Sequence, residues 1–266
     1  MARQLSFFAG FALFLCAAAQ WHSPARAQPE PAADGRIVQL NHSFDVKAGQ
    51  RIRVRNPYGD VRIREVPLRS PAQWRVSLQV RGSEQADAPA ELAFHRTDDG
   101  VLELSLEGGE MPLDRNPDFI RADFVLAVPD FVDLDVEMTD GNFTMHGASY
   151  PVRIRARSGN VNLRTSGVID VELLQGHLVY NPPRDASVSG GRIQTSSAPV
   201  DVLGIGPDRL NFSVVSGAAV TTDSLPMLQS RRKDQRTVLL GAAEASPLLE
   251  IQTDAGPVRL VVDGIR

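Results

Sequence analysis

Three glycines at nearly constant spacing constrain the fold more than any other feature. Gly141, Gly159 and Gly176 lie 18 and then 17 residues apart, in "TDGNFTM" (139–145), "RSGNVNL" (157–163) and "LQGHLVY" (174–180). Each is followed by apolar residues two positions apart, as in Val161 and Leu163. Period-two alternation buries one face of a strand and leaves the other in solvent. Glycine permits a positive φ at a tight corner, and asparagine tolerates one. A repeat of this length holds two short strands, and no single unit can bury its own inner face, so stability must come from stacking on neighbours.

The alternation extends over most of the chain. Ile52 and Val54, Val61 and Ile63, Trp74 to Val80, Leu102 to Leu106 and Phe124 to Val128 all follow it, with Gly, Asn, Asp and Pro between the runs. Only Gln85 to Phe94 suggests a helix, and its Ala/Pro content suits a loop equally well. The expected fold is all-β: a single-domain β-solenoid with rungs of about 17–18 residues and N-terminal capping strands. Looser copies of the rung occur at "SGGRIQT" (189–195), "VSGAAV" (215–220) and "DAGPVRL" (254–260), and an earlier one at "YGDVRIR" (58–64). The expected turn residues are Gly59, Gly141, Gly159 and Gly176. The expected divisions are 1–27 signal peptide, 28–36 leader, 37–130 N-terminal β region and 131–266 rungs, with an interrupting loop at about 224–247. Because open strand edges invite pairing with other chains, the strands from Ile37 to Leu106 and the segment Leu248 to Val262 are expected to close the two ends.

The charges keep the same period. Asp135 and Glu137, Arg153 and Arg155, and Asp170 and Glu172 precede the three glycines at equal distances. If these strands stack, their outward charges run minus, plus, minus, and each opposite pair contributes about 0.2–1 kcal/mol. That favours a structural ladder over a basic binding patch. Arg157 and Arg164 lie nearer the turns and are less well explained by the ladder.

The front of the chain reads as an export signal. Arg3 precedes the apolar run Leu5 to Ala19, and Ala25-Arg26-Ala27 forms an A-x-A site, so cleavage is expected after Ala27. The apolar run is shorter than the roughly 20 residues of a membrane span, and the mature chain has no longer one, so no transmembrane segment is expected there. Leu15 before Cys16 does not suit lipoprotein processing. Cys16 is the only cysteine, so the mature chain has neither disulfide nor thiolate ligand. Loss of Arg3 and Arg26 takes the formal charge from −4 to −6, which gives no support to nucleic-acid binding.

Here a resemblance enters. "NPYGDVRIREV", "FVLAVPDFVDLDVEMTDGNF", the "SGNVNL"-type rungs and "LLEIQTDAGPVRLVV" resemble, in that order, the bacterial "putative adhesin" family of secreted β-solenoid proteins, over about Phe44 to Val262. The resemblance implies an extracytoplasmic, non-enzymatic solenoid of unknown function, periplasmic or at the cell surface. The family favours Gly-Asp at rung turns. Asp60 fits, whereas Asn142, Asn160, His177 and Arg192 depart from it and weigh against a cation-binding row of carboxylates.

No catalytic, cofactor or metal site is expected. The histidines form no H-x-H or H-x-x-x-H pair, no G-x-S-x-G elbow is present, and the G-G-x-G-x-D spacing of calcium β-rolls is missing. The best local candidate for a contact is "QSRRKDQR" (229–236), where Arg231, Arg232, Lys233 and Arg236 could meet a polyanion, although such runs are usually solvated loops. The expected function is an adhesin-like or scaffold role, with an unknown envelope component or surface ligand as partner. The rival reading is a carbohydrate-active β-helix lyase or hydrolase, which would need clustered acids free of basic neighbours. An autotransporter passenger is disfavoured, since no run of alternating membrane strands follows the rungs.

Overall fold

The structure is a computed structural model. It describes residues 35–68, 70–81, 90–108, 119–147, 149–184, 186–204, 210–223, 229–233, 236–240 and 247–261. The cleavage site expected at Ala27 lies outside them. Every element among the described residues is a strand, and hydrogen bonds join all nineteen strands into one sheet.

The first seven strands are β1 (Gly35–Phe44), β2 (Arg51–Tyr58), β3 (Val61–Val66), β4 (Ala72–Arg81), β5 (Ala90–Arg96), β6 (Leu102–Gly108) and β7 (Phe119–Pro129). The middle of the chain gives β8 (Asp133–Asp140), β9 (Phe143–His146), β10 (Val152–Arg164), β11 (Ile169–Tyr180), β12 (Gly191–Thr195) and β13 (Val200–Leu203). The last six are β14 (Asn211–Ser216), β15 (Val220–Asp223), β16 (Gln229–Lys233), β17 (Arg236–Leu240), β18 (Leu248–Thr253) and β19 (Val258–Val261).

The central strands pair in parallel and in register. β10 lies between β8–β9 and β11, with Arg153 opposite both Asp135 and Asp170, and Gly159 opposite Gly176. β12 and β13 continue the series from β11. Each β8–β9-like segment is here a rung. Parallel register carries inward residues into columns: Val54, Val136, Ile154, Val171, Ile193 and Ile251 stack in one and are essentially inaccessible to solvent. Val61, Phe143, Val161, Leu178, Val200 and Val258 form another. Each fully buried aliphatic or aromatic side chain contributes about 1.5–3 kcal/mol, and β-branched residues suit these pleated columns.

Both ends of the stack depart from chain order. β2–β3 lies between β6–β7 and β8–β9, although 82 residues separate Arg53 from Asp135. At the other end β18–β19 lies between β12–β13 and β14–β15, with 58 residues between Asp201 and Arg259. Of the segment Leu248 to Val262, the described part, 248–261, is therefore an internal rung, not the expected cap. The parallel edges of β18 satisfy β12 and β14 together, which a cap could not do. The first end is covered by antiparallel strands, β5 on β6, and β4 and then β1 on β7. The segment 224–247, expected as a loop, holds β16 and β17, an antiparallel pair whose β17 also lies against β14.

One expected rung is out of register. "SGGRIQT" places its glycines at the start of β12, with Gly191 opposite Ile169 and not opposite Gly176. The corner of that rung is Thr195, whose hydroxyl donates to the Ala198 carbonyl at 3.0 Å.

Candidate functional site

The corner glycines form a column. Gly59, Gly141, Gly159 and Gly176 have φ of 127°, 143°, 124° and 125°. A Cβ on Gly159 would fall on the Gly141 carbonyl, and one on Gly176 on the Gly159 carbonyl. The next residues add a side-chain ladder. Asn142 donates to Asp60 Oδ1 from its backbone N at 3.0 Å and from Nδ2 at 3.1 Å, and Asn160 donates in the same way to Asn142 Oδ1. The asparagines that depart from Gly-Asp thus hold the corner together by hydrogen bonds from their backbone and side-chain amides.

On the face before the corner, Arg153 Nε lies 2.9 Å from Asp170, and Arg155 lies 3.6 Å from Glu172 and 3.9 Å from Glu137. Asp135, although opposite Arg153, is bridged by Arg53 at 3.3 Å. The charges therefore continue onto β2 and β6: Arg53 and Arg55 both reach Glu103, at 3.4 and 2.7 Å, and Arg55 reaches Glu137 at 3.1 Å. Burial works against the charge on Arg53, but hydrogen bonding and attraction, first to Asp135 and then to Glu103, outweigh it and raise its pKa above the ordinary arginine value. Arg53, Arg55 and Glu103 were missed from the sequence, although the signal was present. Arg55 precedes Gly59 by the same four positions that separate Glu137, Arg155 and Glu172 from their glycines.

Next to this ladder lies an open cavity of about 620 Å³. One wall is the charged column Arg55, Glu137, Arg155 and Glu172; the other is Pro57, Thr139, Arg157 and Leu174. Between them Asn56, Met138 and Ala156 come from one inward column. A second cavity, of about 230 Å³, shares Glu172 and Leu174 with the first and continues over Gln194, Ser196, Gln252 and Asp254. These are the same two outward columns carried onto β12 and β18, so the two hollows form one trough crossing β2, β8, β10, β11, β12 and β18. Arg157 is exposed in the wider part, and among the described residues it has no carboxylate partner. Leu174, its neighbour on β11, is 51% exposed.

The basic run falls on β16 and β17, with Arg231 opposite Val238 and Lys233 opposite Arg236. The side chains of Arg231, Arg232, Lys233 and Arg236 lie outside the described ones. Among the described residues no group of three or more His, Cys, Asp or Glu is placed to hold a metal ion, and no helix is long and apolar enough to cross a membrane.

No family model matches the chain, and no curated protein matches it. Its structural neighbours are bacterial proteins at low sequence identity. One is a putative cell adhesion protein from Clostridium sporogenes, 9% identical, with a TM-score of 0.44, covering 86% of this chain and 100% of that one. A putative adhesin from Bacteroides fragilis is 11% identical with a TM-score of 0.36, covering 86% and 98%. A putative lipid binding protein from Parabacteroides distasonis is 9% identical with a TM-score of 0.27, covering 86% and 97%.

Proposed function

We propose that the chain is a non-enzymatic, extracytoplasmic β-solenoid that binds a component of the cell envelope. The in-register parallel pairing of successive rungs supports a coiled path, since the inward columns form one continuous core. The observation that carries the binding reading is the long open trough beside a charge ladder that neutralises itself. On that face Asp135, Glu137, Asp170 and Glu172 each contact an arginine. A glycosidase or lyase needs acids free to exchange protons or attack, so this pairing favours binding over the carbohydrate-active alternative.

The test is sedimentation of the purified mature chain with isolated envelope from its host, with protease added to intact cells in parallel. Saturable cosedimentation that is lost on heat denaturation is the expected result, and a chain that stays in the supernatant refutes the reading. Digestion on whole cells assigns the surface; protection until the outer membrane is breached assigns the periplasm, and with it a scaffold role.

A further inference from the structure

We propose that the trough is a binding site for an extended, carboxylate-bearing oligosaccharide, with Arg157 as its anionic subsite; this rests on the envelope-binding reading above and names its ligand. The shape favours a linear polymer. The trough runs perpendicular to six parallel strands, which at about 4.8 Å per strand makes it roughly 24 Å long. It is bounded by outward columns on both sides and is not enclosed.

The chemistry along it is mixed in the way a sugar chain requires. Leu174, Pro57 and Met138 offer apolar surface to the C–H faces of a ring. At the other end Ser196 offers a hydroxyl, Gln194 and Gln252 offer amides that bond each other at 3.5 Å, and Asp254 adds a carboxylate suited to sugar hydroxyls, so the anionic group belongs at the wider end. An acyl chain would strip water from the Asp254 carboxylate and from these polar side chains without replacing it, at a cost of about 1–3 kcal/mol for each group it buried. The positive charge is local to the wider part. Arg55 and Arg155 are occupied by Glu103, Glu137 and Glu172, whereas Arg157 lines the same cavity as Thr139 and Leu174 and presents a free guanidinium. A planar guanidinium matches a carboxylate in two parallel hydrogen bonds.

The experiment is calorimetric titration of the mature chain with a galacturonate hexamer, with maltohexaose as the neutral polymer and phosphatidylglycerol vesicles as the lipid arm. The galacturonate hexamer is expected to bind, with binding weakened by salt and maltohexaose showing none. Arg157→Ala should weaken binding about tenfold or more, since a charge-assisted bond is lost. Ser196→Trp should also weaken it by obstructing the narrower part. Arg64→Ala, an exposed change of equal charge on β3, should leave binding unchanged. Equal binding of maltohexaose, an Arg64→Ala effect as large as that of Arg157→Ala, or Arg157-dependent binding to the vesicles alone would each overturn the proposal. Failure of the hexamer to bind a chain that still sediments with envelope removes this site and ligand and leaves the broader function standing. Failure in both assays removes the function itself.

Discussion

The two halves of the stack turn the same corner with different chemistry. In the rungs of β2–β3, β8–β9, β10 and β11 the corner residue is a glycine at positive φ, Gly59 seated on the Ala122 carbonyl and each of the other three on the carbonyl of the corner glycine before it. In the rungs of β12–β13, β18–β19 and β14–β15 a buried hydroxyl takes over. Thr195 donates to the Ala198 carbonyl, Thr253 to that of Gly256 at 2.8 Å, and Ser216 to those of Ala218 and Gly256. The first solution depends on the absence of a side chain, and the second on the presence of one. Glycine corners should therefore tolerate no addition, and hydroxyl corners should tolerate modest loss. A third class of contact, the charge ladder, runs along the glycine half from β6 to β11 without fixing its corner, and gives way to Gln194 and Gln252 in the other half.

The largest effect should come from ending the chain after Pro247. That removes an internal rung, with Leu249, Ile251, Val258 and Leu260 all buried. Their burial alone is worth about 6–12 kcal/mol at the usual value per side chain, against a net stability of about 5–15 kcal/mol for a typical domain. The truncated chain should be digested rapidly by trypsin under conditions where the full mature chain survives. A soluble, trypsin-resistant product would mean that β14–β15 can dock directly on β12–β13, and the inserted rung would lose its structural role.

Next in size is Gly159→Ala. The strained backbone costs about 1–3 kcal/mol, and crowding against the Gly141 carbonyl costs about 1–3 kcal/mol more. Thermal unfolding should show a Tm about 10 °C lower, given roughly 2–4 °C per kcal/mol at this size. The corresponding change in the other half, Thr195→Val, keeps the volume and leaves the Ala198 carbonyl without its hydroxyl partner. Urea titration should show a loss of about 1–2 kcal/mol. If the two variants lose equal stability, the distinction between the corners fails.

The glycine half was legible in the sequence because its offsets are constant and its charges alternate at the same offsets. The hydroxyl half was legible in part. "TSSAPV" (195–200) and "TDAGPV" (253–258) share a threonine, a proline and a valine, but alignment on glycine drew "SGGRIQT" one strand too early. Glycine has two uses in this chain, as a corner at Gly176 and as a close approach to Ile169 at Gly191, and spacing alone does not separate them. The order of rungs at the ends was hidden for a different reason. Partners 82 and 58 residues apart leave no local pattern, because a parallel neighbour presents the same alternation wherever it comes from in the chain. The trough is a property of two columns read across strands. Arg157 stood out in the sequence only as an arginine near a turn that the ladder explained less well, and its setting beside Leu174 and its lack of a carboxylate partner required the structure.

The smallest effect should belong to the ladder at its exposed end. Arg155 is close to half exposed and lies 3.6–3.9 Å from Glu172 and Glu137. Exposed pairs of this kind are worth about 0–1 kcal/mol and are screened by salt. Arg155→Met should therefore cost less than Thr195→Val in the same urea titration, and the difference from the unmodified chain should shrink further at high salt. Arg53 provides the internal contrast, since Asp135 beside it is buried and would be left as an uncompensated charge by Arg53→Met, while Glu103 would keep Arg55. An Arg155→Met loss exceeding that of Thr195→Val would reverse the ranking and make the charged face a principal support of the stack. A loss near zero would leave the corners as the devices that fix register. The outward columns would then be free to vary, and a stack held together at its corners can change what lies along its face without changing its fold.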